Sequence, residues 1–117
     1  MQVFLTIDTE LSWRHHAAGL PPEEVIARSL EPAGVGIAHQ LDLLARHRLK
    51  ATFFVDPMPA LVYGVAQLRA VVSAVLAAGQ EVQLHLHPNW RGASLEDRGL
   101  HDAFELSAFP RDDQRDL

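Results

Sequence analysis

The sequence predicts an α/β fold in which parallel strands are connected by crossover helices. Three short apolar runs, typical of buried strands, occur at Val3–Ile7, at Ala51–Val55 and from Glu81 onward. Two longer segments with apolar residues at three- and four-residue spacing, typical of amphipathic helices, separate these runs. With 117 residues and 48% hydrophobic content, the chain is expected to form one domain with a packed core.

The first half of this pattern contains one strand and two helices. The run Val3–Ile7 is rich in β-branched and aromatic residues, which suits a strand buried on both faces. After a polar, loop-like stretch over Ser12–Gly19, the segment PPEEVIARSL has prolines and acids where a short helix should begin. A longer helix is predicted from Ala33 to about His47. Its apolar residues fall on one face: Ile37, Leu41, Leu44 and Ala45.

The second half repeats the order of strand and helix. The run Ala51–Val55 is predicted to be a buried strand that ends at DPMP, because proline cannot continue it. Gly79 is placed where a left-handed cap would end the next helix. The charged segment FPRDDQRDL resembles a helix start with solvated faces. The apolar face of the long second helix consists of Leu68, Val71, Val72, Val75 and Leu76.

Charge and composition exclude several classes of function. The formal net charge is -5 and no cluster of Lys and Arg is present, so we expect no nucleic-acid partner. The chain has no cysteine, so any metal must bind through nitrogen and oxygen atoms. The apolar N-terminal segment is too short for a signal peptide or a membrane span. We therefore expect a cytoplasmic protein with no membrane partner.

Two pairs of polar residues follow apolar runs and form the candidate site. Asp8 and Glu10 end the first run, and His85 and His87 end the third. Side chains alternate across a strand, so the two members of each pair point to the same side. Because sites in such folds form at the C-terminal ends of the strands, the two pairs are expected to converge. Two imidazoles with one or two carboxylates are typical ligands of a catalytic divalent metal, and zinc suits them best.

Simpler interpretations exist for each of these features. A His-x-His pair alone often consists of polar residues that merely end a strand, and an Asp-x-Glu pair alone is often the start of a solvated loop. Trp13 and Trp90 could form sugar-stacking walls or pack in the core. The other histidines are interpreted as solvated, although the first two could cover the site from a loop: His15, His16, His39, His47 and His101.

The segments FLTIDTE, ATFFV and GQEVQLHLHP together resemble the strand motifs of the polysaccharide deacetylase family, the NodB-homology carbohydrate esterases. The match is to the variant group with Asp-x-Glu in the first motif, and it covers Met1 to about Trp90. It implies a distorted (β/α) barrel that removes N- or O-linked acetyl groups from sugars with a metal. A carbohydrate or another small N-acetylated molecule would then be the substrate.

The resemblance also implies roles for individual residues. Asp8 corresponds to the catalytic base, and Glu10 corresponds to the metal-binding carboxylate that follows it. His85 matches the first histidine of the second motif. The family's usual second histidine falls at Asn89, so His87 is the replacement ligand that the resemblance suggests.

The resemblance implies that residues 1–117 are one partial domain, truncated at its C-terminal side. A closed eight-stranded barrel typically has ~250 residues, whereas three strands can be recognised here. The chain lacks the late-strand histidine that protonates the leaving amine in the family, and an open sheet edge is expected to favour self-association. Two alternatives stay open. One is a barrel metallohydrolase of the amidohydrolase type, which normally has His-x-His on its first strand, and the other is a non-catalytic remnant that binds metal or sugar.

Overall fold

The computed structural model describes residues 1–96 and 104–116 and has a mixed α/β architecture. The predicted parallel sheet is confirmed: three strands pair in the order β1-β2-β3. The sheet is open over the described residues, so a distorted (β/α) barrel stays a prediction. The strands are β1 (Thr6–Thr9), β2 (Thr52–Val55) and β3 (Glu81–Leu84). The α-helices are α1 (Trp13–Ala17), α2 (Pro22–Leu30), α3 (Ile37–His47), α4 (Ala60–Tyr63), α5 (Val65–Ala77) and α6 (Arg111–Arg115), and short 3-10 helices lie at Pro32–Gly34, Pro88–Trp90 and Leu106–Ala108.

Strand β1 begins later than the apolar run predicts, and the expectation that it is buried on both faces is wrong. It pairs with β2 from Thr6 opposite Thr52 onward, and Val3 and Phe4, which precede the paired residues, are exposed. The limits of a strand depend on where its partner begins, which the apolar run alone does not show. Among the described elements, helices cover only one face of the sheet, so half of the β1 side chains are left exposed.

Helices α3 and α5 pack against one face of the sheet and form the main core. Ile7, Phe53 and Val82 stand in one row across the three strands on this covered face. The apolar residues predicted to face the core from these two helices do pack in it, except Ala45 and Leu76, which are exposed. The buried face of each helix is therefore narrower than predicted. The buried members of this core are Ile37, Leu44, Ala51, Phe53, Val55 and Val75.

Helix α3 begins at Ile37 rather than at Ala33. Ala33 has a φ of 50° and lies in the 3-10 helix Pro32–Gly34, so this segment turns instead of extending the helix. Gly36 follows it and packs closely against the end of α2. A Cβ atom at Gly36 would lie 2.0 Å from the carbonyl oxygen of Leu30, so only glycine fits there.

Helix α5 ends as predicted. Gly79 has a φ of 70°, the left-handed conformation that terminates helices. Its N–H donates to the carbonyl of Leu76 at 2.9 Å, and the N–H of Gln80 donates to that of Val75 at 3.2 Å. These two bonds form a Schellman motif, which turns the chain directly into β3.

A second, smaller core cluster is built around Trp90. Trp90 is 1% exposed, and it packs with Leu11, Val25 and Met58. The ring of Trp13, which is half-buried, meets it edge-on with the centroids 4.9 Å apart, so Trp90 lies in the core and Trp13 packs against it. Trp13 begins α1, a short helix within the stretch that was predicted to be a loop.

The C-terminal part of the described chain contains α6, where FPRDDQRDL predicts a helix start. Arg91 contacts the carboxylate of Asp113 at 3.2 Å and connects α6 to the segment after β3. His101 lies outside the described residues. Within residues 1–96 and 104–116, no helix has both the length and the apolar content needed to cross a membrane.

Candidate metal centre

The three strands place polar residues side by side at their C-terminal edge. The ladder continues one residue past each strand, because the N–H of Asp56 donates to Thr9 at 3.0 Å and the N–H of His85 donates to Val55 at 3.1 Å. Glu10, the residue after Thr9, therefore lies on one side of Asp56, and His85 lies on the other. Parallel pairing brings these residues together although they are distant in sequence.

Glu10, His85 and His87 form a compact group, which we call the metal group. The Nε2 atoms of His85 and His87 lie 3.0 Å apart, and Nε2 of His85 lies 3.6 Å from Oε2 of Glu10. The same carboxylate oxygen contacts Nε2 of His87. The ligand atoms of these residues lie within 4.8 Å of one another. The predicted convergence of the two polar pairs is confirmed for these three residues.

The spacing of the metal group fits a divalent ion. Two ligand atoms on a tetrahedral zinc ion with bonds of about 2.0–2.1 Å are separated by roughly 3.3 Å. Two of the three separations in the metal group, 3.0 and 3.6 Å, bracket this value, and the third, between His87 and Glu10, is shorter. The side chains of His85 and Glu10 are 30% and 41% exposed, and the ligand oxygen Oε2 of Glu10 is buried on the inner side of the group. Three protein ligands with an open position are the pattern of a catalytic site rather than of a closed structural one.

Asp8, the predicted catalytic base, is not part of the metal group. It lies on the exposed face of β1, in the row that includes Phe54 of β2. Asp8 and Glu10 both line an open cavity of about 530 Å³ that also includes Trp13 and Arg14. Ile7 and Thr9 line the same cavity, so the common side of the Asp-x-Glu pair stays a prediction, with Glu10 at the metal group and Asp8 earlier on the strand.

Asp56 is a residue of this edge that the sequence patterns did not single out. It is 5% exposed, and its Oδ1 accepts a hydrogen bond from the N–H of Met58 at 3.0 Å. Burial raises the pKa of the Asp56 carboxyl, and the negative charge of Glu10 adds to this effect. The N–H groups of Met58 and His87 and the charge of the His87 ring act in the opposite direction. The signal that could have found Asp56 is its position: it directly follows the middle strand, as Glu10 follows the first.

The two histidines after the first polar pair differ in their surroundings. The prediction of a solvated residue is wrong for His16, which is 2% exposed and whose Nδ1 hydrogen-bonds to the hydroxyl of Tyr63 at 2.8 Å. It packs within the cluster of Trp13 and Trp90, because α1 turns it inward. His15 is half-buried, 3.5 Å from the hydroxyl of Ser29. Two other histidines are exposed, as predicted: His39 and His47.

Asn89, at the position where the resembled family has a histidine, is buried beneath this edge. It is 1% exposed, and neither side-chain polar atom has a hydrogen-bond partner among the described residues. His87, by contrast, lies in the metal group. A cavity of about 160 Å³ lies beside both residues and is also lined by Glu10, Trp13 and Trp90.

Comparisons with protein-family models, with curated proteins and with solved structures found no match to this chain.

Proposed function

We propose that this chain belongs to a metal-dependent hydrolase that removes acetyl groups from a carbohydrate. The observation that carries the proposal is the convergence of Glu10, His85 and His87 at the C-terminal edge of a parallel sheet. Their nitrogen and oxygen atoms and their open side suit a catalytic divalent ion, with zinc the best fit. The resemblance of the three strand segments to polysaccharide deacetylases supports the choice of substrate.

Each residue has a separate task in the proposed reaction. Glu10, His85 and His87 would hold the ion, which would supply a water of lowered pKa and polarise the acetyl carbonyl. Asp8 accepts a proton from the attacking water. The C–N or C–O bond of the acetyl group then breaks, and acetate leaves. Protonation of the departing amine needs an acid, which the resemblance assigns to a later strand.

The open space around the edge is sufficient for a small substrate. The cavity of about 530 Å³ runs along Asp8 and Glu10, so a substrate bound there would lie against both carboxylates. Arg14 and Gln40 add hydrogen-bonding groups to its wall, and Trp13 adds an aromatic surface. Mixed polar and aromatic linings of this kind suit sugars, which combine hydroxyl groups with apolar ring faces.

Substitutions distinguish the proposed base, Asp8, from the proposed metal ligands. Asp8→Asn should abolish release of acetate from an N-acetylated amino sugar while the zinc content of the purified chain is unchanged, because a base acts on water and a ligand holds the ion. His85→Ala should lose both activity and metal. His39→Ala, which changes an exposed histidine outside the metal group, is the matched control. Acetate release by Asp8→Asn at the rate of the unchanged chain would remove Asp8 from this role.

A second candidate is a non-catalytic domain that binds metal or sugar. The open three-stranded sheet favours it, since Asp8 and the metal group lie at an exposed edge. This candidate predicts one zinc ion per chain and no release of acetate from any acetylated sugar.

A further inference from the structure

Asp56 is a buried carboxylate at the centre of the edge that carries the metal group. Its backbone N–H donates to Thr9, the residue before Glu10, and the next bond of the ladder runs from His85 to Val55, the residue before Asp56. Asp56 thus stands between the two segments that supply the ligands. It is 5% exposed, whereas Glu10 and His85 are partly open to solvent.

Among the described residues, only one oxygen of the Asp56 carboxylate has a hydrogen-bond donor. Oδ1 accepts from the N–H of Met58, which closes a local turn. Oδ2 is buried and has no hydrogen-bond partner among residues 1–96 and 104–116. A buried carboxylate oxygen without a donor is unfavourable unless positive charge is placed nearby.

We infer that Asp56 is a positioning residue that supports the metal group through its buried negative charge; this inference rests on the proposed metal site. Glu10 provides the one carboxylate among the three ligands. A divalent ion held by two neutral imidazoles and one carboxylate keeps a net positive charge. The buried Asp56 anion, which lies between the segments that carry Glu10 and His85, would offset that charge without contacting the ion.

Removal of the Asp56 charge is expected to have opposite effects on the stability of the metal-free fold and on metal binding. In the metal-free protein the Asp56 charge is buried beside Glu10, so it is unfavourable there and its removal should not destabilise the fold. In the metal-bound protein the same charge is favourable, so its removal should weaken metal binding. A residue with only a structural role in the turn would instead affect folding and metal binding in the same direction.

The experiment compares the unchanged chain with Asp56→Asn, which keeps an oxygen acceptor for Met58 and removes the charge. Zinc affinity is measured by competition with a coloured chelator, and the metal-free proteins are unfolded by heat. We expect Asp56→Asn to bind zinc roughly ten- to a hundred-fold more weakly, with an unchanged or higher midpoint of thermal unfolding. Asp42→Asn, which removes the same charge from an exposed site on α3, should change neither zinc affinity nor the metal group.

The possible results are distinct. Equal zinc affinity in Asp56→Asn and the unchanged chain would overturn the inference while leaving the proposed metal site intact. A joint loss of affinity and of metal-free stability, or a failure of Asp56→Asn to fold, would assign Asp56 to the turn alone and would overturn it too. An unchanged chain that binds no zinc would refute the proposed function, and with it this inference.

Discussion

Zinc should stabilise the fold through the metal group, and His85→Ala should remove that stabilisation. The ligands come from the ends of β1 and β3, the two outer strands of the sheet, so they meet only when both strands are paired with β2. The unfolded chain has no such group. Binding to the native state alone therefore shifts the unfolding equilibrium by mass action.

The magnitude follows from this linkage. At a free zinc concentration one hundred times the dissociation constant, the free energy of unfolding should rise by about 2.7 kcal/mol. For a domain of this size, each kcal/mol corresponds to about 4 °C in the midpoint of thermal unfolding, so the midpoint should rise by about 10 °C. His85→Ala removes one of the three ligands and should reduce the shift to about 2 °C or less at the same zinc concentration.

The assay is thermal unfolding followed by circular dichroism, with and without zinc, and with excess chelator to show reversal. His39→Ala provides the control, since His39 is an exposed histidine on α3 outside the metal group. It should show the same shift as the unchanged chain. A full shift in His85→Ala would show that zinc binds elsewhere and would refute the reasoning from the geometry.

Three further predictions concern stability and association. Replacement of Phe53, which is 0% exposed on the middle strand, by alanine should lower the free energy of unfolding by about 3–5 kcal/mol. A decrease below about 1 kcal/mol in urea unfolding would contradict the described core. Because burial raises the pKa of Asp56, the folded metal-free protein binds more protons than the unfolded chain just above pH 3.8. Its stability should therefore fall as the pH rises through that range, and Asp56→Asn should flatten this dependence in parallel urea titrations. The open edges of β1 and β3 should favour association, and a monomer in sedimentation at high concentration would count against it.

The sequence by itself determined the type of fold and most of its elements. The alternation of apolar runs with helical periodicity predicted three parallel strands, and the structure has them. Gly79 predicted the end of α5 because a left-handed cap is a local property of the backbone. The spacing of Glu10, His85 and His87 indicated a shared site, since strand alternation and the common edge of a parallel sheet follow from general rules.

Only the tertiary structure decided which residues are buried and which of them meet. His16 lies in the same polar stretch as His15, yet the packing of α1 beneath Trp90 buries it. The start of β1 depends on where β2 begins, so the apolar run misplaced it. Asp56 follows a strand much as Glu10 does, but burial and its place between the ligand segments distinguish it. Distance and burial depend on contacts between segments that are far apart in the chain, and local patterns do not contain that information.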